Sequence, residues 1–144
     1  MKAEKIKCVL LADRHHGLTE GIRDLLATMF DAVVMVADET SLQEGAVRLQ
    51  PSVAVVDLAL ARDNGLDVVK RLRARSADLK LILLSQHDET SACLATLEAG
   101  ANAFVLKRAI ATDLLPAIEA VQAGRVFISP GVQRHAQPGP RPTG

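Results

Sequence analysis

The chain has 144 residues, and a domain usually takes about 100 to 200, so the length suits one compact unit. Apolar residues make up 49% and charged ones 24%, which argues against wholesale disorder and against a disulfide-stapled mini-protein. Seventeen basic residues balance 17 acidic ones, and the aromatics are three Phe with no Trp or Tyr, so there is neither a long-range field for nucleic acid nor a set of stacking platforms for single strands or sugars.

In chain order, short β-branched runs alternate with longer stretches of helical period, the pattern of repeated βα units. A charged start (Met1 to Lys7) leads into a strand over residues 6–12. Its apolar part is too short for a signal peptide or a membrane span, and Cys8 and Cys93, each in an apolar stretch, suit buried thiols in a reducing compartment. A cytoplasmic location with no membrane contact is expected. Residues 18–29 form the clearest helix: Leu18, Ile22, Leu25, Leu26 and Met29 share one face while Glu20, Arg23 and Asp24 lie on the other.

A second strand is expected over 32–37. The next helix has Thr40 or Ser41 as its cap, with Glu44 three residues beyond Ser41, and stops before Pro51. Strands over 53–58, 79–85 and 103–106 and helices over 65–75, 89–99 and 112–123 complete five units, with Gly100 and Gly124 where left-handed caps belong. Pro116 falls in or near the first turn of the last helix, where few amide donors have partners to lose. The basic run Lys70, Arg71, Arg73, Arg75 complements the negative end of its helix. From residue 129 onward the chain holds four of its six prolines and three glycines, so residues 1–128 read as the domain and 129–144 as a flexible tail or truncated linker.

In a doubly wound parallel sheet every strand ends on one edge, and ligands bind in the crevice outside those carboxyl ends. The residues there are Asp13, Asp57, Ser85 and Lys107. Taken singly, each has a plainer role: an Asp capping a helix, a turn serine, a solvated lysine.

Together with their neighbours they resemble the receiver domain of two-component response regulators, from Lys5 to about Ser129. The carriers are Val9-Leu-Leu-Ala-Asp13-Arg-His15 followed by Glu20-Gly-Ile-Arg23, then Val55-Val-Asp57-Leu with Gly65 eight residues on, Ile82-Leu-Leu-Ser85, and Gly100-Ala-Asn-Ala-Phe104-Val-Leu-Lys107. The first of these is similar to the branch usually joined to a LuxR-type helix-turn-helix. The resemblance implies a flavodoxin-like (βα)5 fold, a five-stranded parallel sheet in order 2-1-3-4-5. It implies a phosphoacceptor at Asp57, Mg²⁺ held by Asp13, Asp57 and the backbone carbonyl of Ala59, phosphoryl contacts from Lys107 and Ser85, and a switch formed by Ser85 and Phe104. It further implies a histidine kinase or small phosphodonor as partner, self-association through the fourth helix, fifth strand and fifth helix or through the first and fifth helices, and an output in transcriptional regulation with no direct nucleic-acid contact by this chain.

The pattern departs from the family where a second acidic residue should follow Asp13: Arg14 stands there. A guanidinium removes an oxygen donor and adds repulsion, so weaker Mg²⁺ binding is expected, and the alternative is an atypical receiver with weakened or absent phosphorylation that works as a protein-interaction domain. Leu60-Ala61 replaces the usual Met-Pro, and Arg108 adds a cation after Lys107. His15, His16 and His87 lie near strand ends, but adjacent histidines cannot easily present both rings to one transition metal. A small hydrolase using Asp57 is disfavoured, because the short loops scarcely allow a substrate cavity.

Overall fold

The computed structural model describes residues 6–13, 16–60, 66–86 and 90–132. Strands and helices alternate: β1 (Ile6–Ala12), α1 (His16–Leu26), β2 (Phe30–Val36), α2 (Glu39–Leu49), β3 (Val53–Asp57), α3 (Leu66–Arg75), β4 (Lys80–Ser85), α4 (Thr90–Ala99), β5 (Ala103–Leu106), α5 (Ile110–Gln122) and β6 (Phe127–Ile128). All neighbouring strands pair in parallel, in the order β2-β1-β3-β4-β5-β6.

The period of two along each strand splits the core into opposite faces. Val9, Leu11, Val53, Val55, Ile82, Leu84 and Val105 pack with Ile22 and Leu26 of α1 and with Leu114, Ala117, Ile118 and Val121 of α5. The alternate residues Leu10, Ala12, Ala54, Val56, Leu81 and Leu83 pack with Leu42 of α2 and with Val68, Val69 and Leu72 of α3. Burial on both faces explains why these strands are continuous apolar runs; each large side chain so covered contributes roughly 1.5–3 kcal/mol. A third, smaller cluster holds Cys93 of α4, Phe104 and Leu106 of β5, and Val132.

The sheet has six strands where five were expected. β6 is two residues long and carries no pattern of its own; it forms because the Phe127 and Ser129 amides donate to the Asn102 and Phe104 carbonyls along the free edge of β5, at 3.2 and 2.9 Å. Packing continues past residue 128, since Ser129 and Val132, expected at the start of the flexible tail, are both buried. The cap of α2 also differs: Asp38 is the N-cap, its Oδ1 accepting the Ser41 amide at 2.7 Å, so Ser41 receives the cap instead of making it. Those hydrogen bonds hold the Asp38 carboxyl below its ordinary value. A turn of 3-10 helix over Lys107–Ala109 runs directly into α5, which starts at Ile110. Pro116 therefore lies in the second turn, where its missing amide deprives the Thr112 carbonyl of its helical donor. Its exposed position lets water replace that donor.

Gly100 and Gly124 have positive φ, as their place after α4 and α5 requires, and Gln50 after α2 adopts the same left-handed region at φ 49°. At the sheet edge remote from the strand carboxyl ends, Arg73 of α3 donates to the Ser76, Ala77, Leu79 and Gly100 carbonyls and to Asn102 Oδ1. That guanidinium ties the end of α3 to the start of β4 and to the turn between α4 and β5, which makes it a structural staple as well as a dipole complement.

Candidate functional site

Register brings the expected residues to one edge. Ala12 is opposite Val56, so Asp13 follows β1 beside Asp57, the last residue of β3. Asp57 is level with Leu84 and Val105, so Ser85 stands one position further along β4 and Lys107 two positions further, just past the end of β5. Adjacent strands are about 4.8 Å apart, so the four positions line one short rim.

Alternation sorts these residues by face. Asp13 continues the parity of Val9 and Leu11, and Asp57 that of Val53 and Val55, on the face of α1 and α5; Ser85 continues that of Leu81 and Leu83 on the opposite face, which Phe104 shares through its pairing with Leu83; Lys107, in the 3-10 turn past β5, lies beyond the alternation. Asp13 (4% exposed), Asp57 (1%) and Ser85 (3%) are all buried, which is unusual for carboxylates unless they are partnered. Lys107 Nζ lies 2.6 Å from Asp57 Oδ2, and the Ala59 amide donates to Asp57 Oδ1 at 2.9 Å from within the single 3-10 turn that follows β3. The Asp13 amide donates to the Val36 carbonyl, which fixes the chain as it leaves β1.

Burial pushes the Asp57 carboxyl above its ordinary value; the Lys107 ammonium and the Ala59 amide pull it back, and the neighbouring Asp13 carboxyl pushes it up again. The centre is thus a desolvated carboxylate held between a second carboxylate and an ammonium. Such a group is short of positive charge. Two buried carboxylates side by side supply oxygen donors of the kind a hard divalent cation takes, so the residues present fit Mg²⁺.

Phe104 is fully buried, in one cluster with Cys93, Leu106 and Val132. Arg108 is exposed and Leu60 buried. Arg14, Ala61, His15 and His87 lie outside the described residues, as does the side chain of His16. Among the described residues, no group of three or more His, Cys, Asp or Glu side chains gathers in a way that could hold a metal ion, and no helix is long and apolar enough to cross a membrane.

The segment after α5 adds groups that sequence reasoning missed. Ser129 Oγ accepts the Leu106 amide at 3.0 Å, and its hydroxyl donates to Asp113 Oδ2 in the first turn of α5 at 2.8 Å. A serine followed by a proline reads as a turn; only the pairing of β6 with β5 turns it inward.

Residues 9–119 match the model of the response regulator receiver domain. The chain belongs to that family. Receiver domains are signalling modules of two-component systems, not metabolic enzymes. This receiver domain is 32% identical over 133 residues to a nitrate/nitrite response regulator protein homolog of Haemophilus influenzae, covering 90% of this chain and 63% of that protein. It is 32% identical to the DNA-binding transcriptional activator DevR/DosR of Mycobacterium tuberculosis, covering 83% of this chain and 56% of that one. The chain spans little more than half the length of such curated relatives, from 55% to 63%. Among solved structures, it is similar to a LuxR-family two-component response regulator from Aurantimonas (TM-score 0.83, 26% identity, covering 91% of this chain and 94% of that one). It is also similar to the isolated receiver domain of RcsB from Salmonella enterica serovar Typhimurium in the presence of the phosphomimetic BeF3- (TM-score 0.81, 27% identity, covering 91% of this chain and 98% of that one).

Proposed function

We propose that this receiver domain accepts a phosphoryl group on Asp57 from a histidine kinase or a small phosphodonor and uses it to switch an output in transcriptional regulation, a reading that the transcriptional regulators among its relatives support. The observation that carries the reading is the buried Asp57–Lys107 pair at 2.6 Å, with Asp13 and Ser85 buried on the same rim. A lone carboxylate at a strand end caps a helix; one held between a carboxylate and an ammonium is an arrangement for receiving an anion.

In the transfer, a lone pair of an Asp57 carboxylate oxygen forms the new O–P bond while the bond from phosphorus to the donor nitrogen or oxygen breaks and its electron pair leaves with the donor. Lys107, already at the carboxylate, follows the charge onto the phosphoryl oxygens. The Ala59 amide keeps Oδ1 oriented. The Ser85 hydroxyl, at the neighbouring strand end, hydrogen-bonds a phosphoryl oxygen and reports its arrival to the face that holds Phe104. Asp13, Asp57 and the Ala59 carbonyl would hold Mg²⁺, which when bound offsets the charge of the phosphoryl oxygens. The added group brings roughly −1.5 to −2 charges, enough to rearrange so small a pocket. Self-association would follow on the surface of α4, β5 and α5 or that of α1 and α5.

Incubation with acetyl phosphate and Mg²⁺, followed by intact mass, tests the reading: a phosphoryl adduct on the wild type that Asp57→Asn abolishes supports it. No adduct on the wild type leaves the interaction-domain alternative to which Arg14 points. Titration of Mg²⁺ into the wild type and Arg14→Asp then measures what the guanidinium costs; tighter binding by the variant is expected.

A further inference from the structure

Lys107 has to be placed against a buried carboxylate, yet it is the residue at which the sheet ends. β5 stops at Leu106, and Lys107 opens a 3-10 turn that has no side-chain cap on its preceding residue. The last β5 amide is instead taken by Ser129, whose Oγ accepts from Leu106 at 3.0 Å while its hydroxyl donates to Asp113 Oδ2 at 2.8 Å. Ser129 is wholly buried, and its own amide donates to the Phe104 carbonyl at 2.9 Å. One side chain therefore ties together β5, the first turn of α5 and the segment after it, on the residue directly before Lys107.

The surroundings show that the segment is fitted closely. Val132 is buried with Phe104, Leu106 and Cys93, and a Cβ added to Gly131 would come within 2.8 Å of Leu106 Cδ1 and 3.3 Å of an Arg108 guanidinium nitrogen. The buried Leu106 amide has no cheap replacement for the serine: loss of the acceptor would leave a buried donor unpaired unless the end of β5 moved to find water. Such a movement shifts Lys107.

We infer that Ser129 is a positioning residue for Lys107: by holding the last amide of β5 against α5, it sets the ammonium at the distance from Asp57 that phosphoryl transfer needs. The inference rests on the phosphoacceptor reading and deepens it. It makes the docking of residues 127–132 a condition of fast transfer, so that any load that pulls this segment off β5 slows phosphoryl transfer in the same molecule.

The test follows the time course of phosphoryl uptake from saturating acetyl phosphate with Mg²⁺, by intact mass, in the full 144-residue chain. Rate constant and final amplitude are read separately. Ser129→Ala is expected to reduce the rate constant by roughly tenfold or more, since small misplacements of a catalytic group are costly, while the amplitude stays near that of the wild type. A purely structural serine would lower the amplitude, through the unfolded fraction, and leave the rate constant unchanged; that result overturns the inference. If Ser129→Ala does not fold, Asp113→Ala, which frees the serine hydroxyl without emptying the buried site, decides by the same split, with a smaller reduction in rate expected. A wild type that takes up no phosphoryl group sinks the phosphoacceptor reading and this inference with it, whereas normal uptake with an unchanged variant rate constant sinks this inference alone.

Discussion

Replacement of Lys107 by Met keeps the length of the apolar stem and removes the charge that Asp57 faces. At 2.6 Å, two unit charges attract by about 6 kcal/mol at an effective dielectric constant of about 20. Much of that offsets desolvation in the wild type, with the lysine side chain 10% and the carboxylate 1% exposed. Removing one partner of so buried a pair leaves the other uncompensated, and the expected loss of stability near neutral pH is about 3–5 kcal/mol. The sign of the pH dependence follows from Asp57. Its carboxyl is already raised by burial, and Lys107 is among the groups that lower it, so the variant raises it further. A carboxyl with a raised value in the folded state binds its proton more tightly there than in the unfolded chain, so stability falls as pH rises from the ordinary carboxylate range through the folded value. This fall is steeper and extends higher in the variant. The gap between wild type and Lys107→Met should therefore be small at acid pH, where Asp57 is protonated in both, and open as pH rises. Urea denaturation at about pH 3, below the ordinary carboxylate value, and at about pH 8, without divalent cation, measures it. An equal gap at both values, or none at the higher one, would refute the assignment of the pair as a charged, desolvated contact.

Three further outcomes are expected. Gln50→Gly relieves a left-handed residue at φ 49° and should stabilise the domain by up to about 1 kcal/mol in denaturant titration, since only glycine takes that region freely. Arg73→Met removes the donors to Ser76, Ala77, Leu79, Gly100 and Asn102 and should cost at least about 2 kcal/mol, because the charged hydrogen bonds act as a unit; a shift in melting temperature indistinguishable from zero would contradict the staple. Burial pushes the Cys93 thiol up to about 11, so at about pH 8 in the folded protein it should alkylate roughly a hundredfold more slowly than an ordinary thiol, and rapid labelling would contradict its place under Val132.

Continuous apolar runs such as those in β1, β3, β4 and β5 leave little choice but burial on both faces of a parallel sheet, and the face shared by Ile22, Leu25, Leu26 and Met29 leaves little choice for α1. The βα alternation, the left-handed glycines after α4 and α5, and the rim residues Asp13, Asp57, Ser85 and Lys107 were legible for that reason: each depends on local pattern plus one topological rule. The cap of α2 was misread because Asp38, Thr40 and Ser41 are all competent cap residues, and which one serves depends on where the backbone turns. Position alone also left open whether the rim side chains engage one another. Tertiary structure decided that Lys107 reaches Asp57, that a sixth strand forms, and that Ser129 turns inward to hold the end of β5. These depend on an amide edge and on a buried volume made by residues far apart in the chain, and two residues of β6 carry no periodicity from which either could be read.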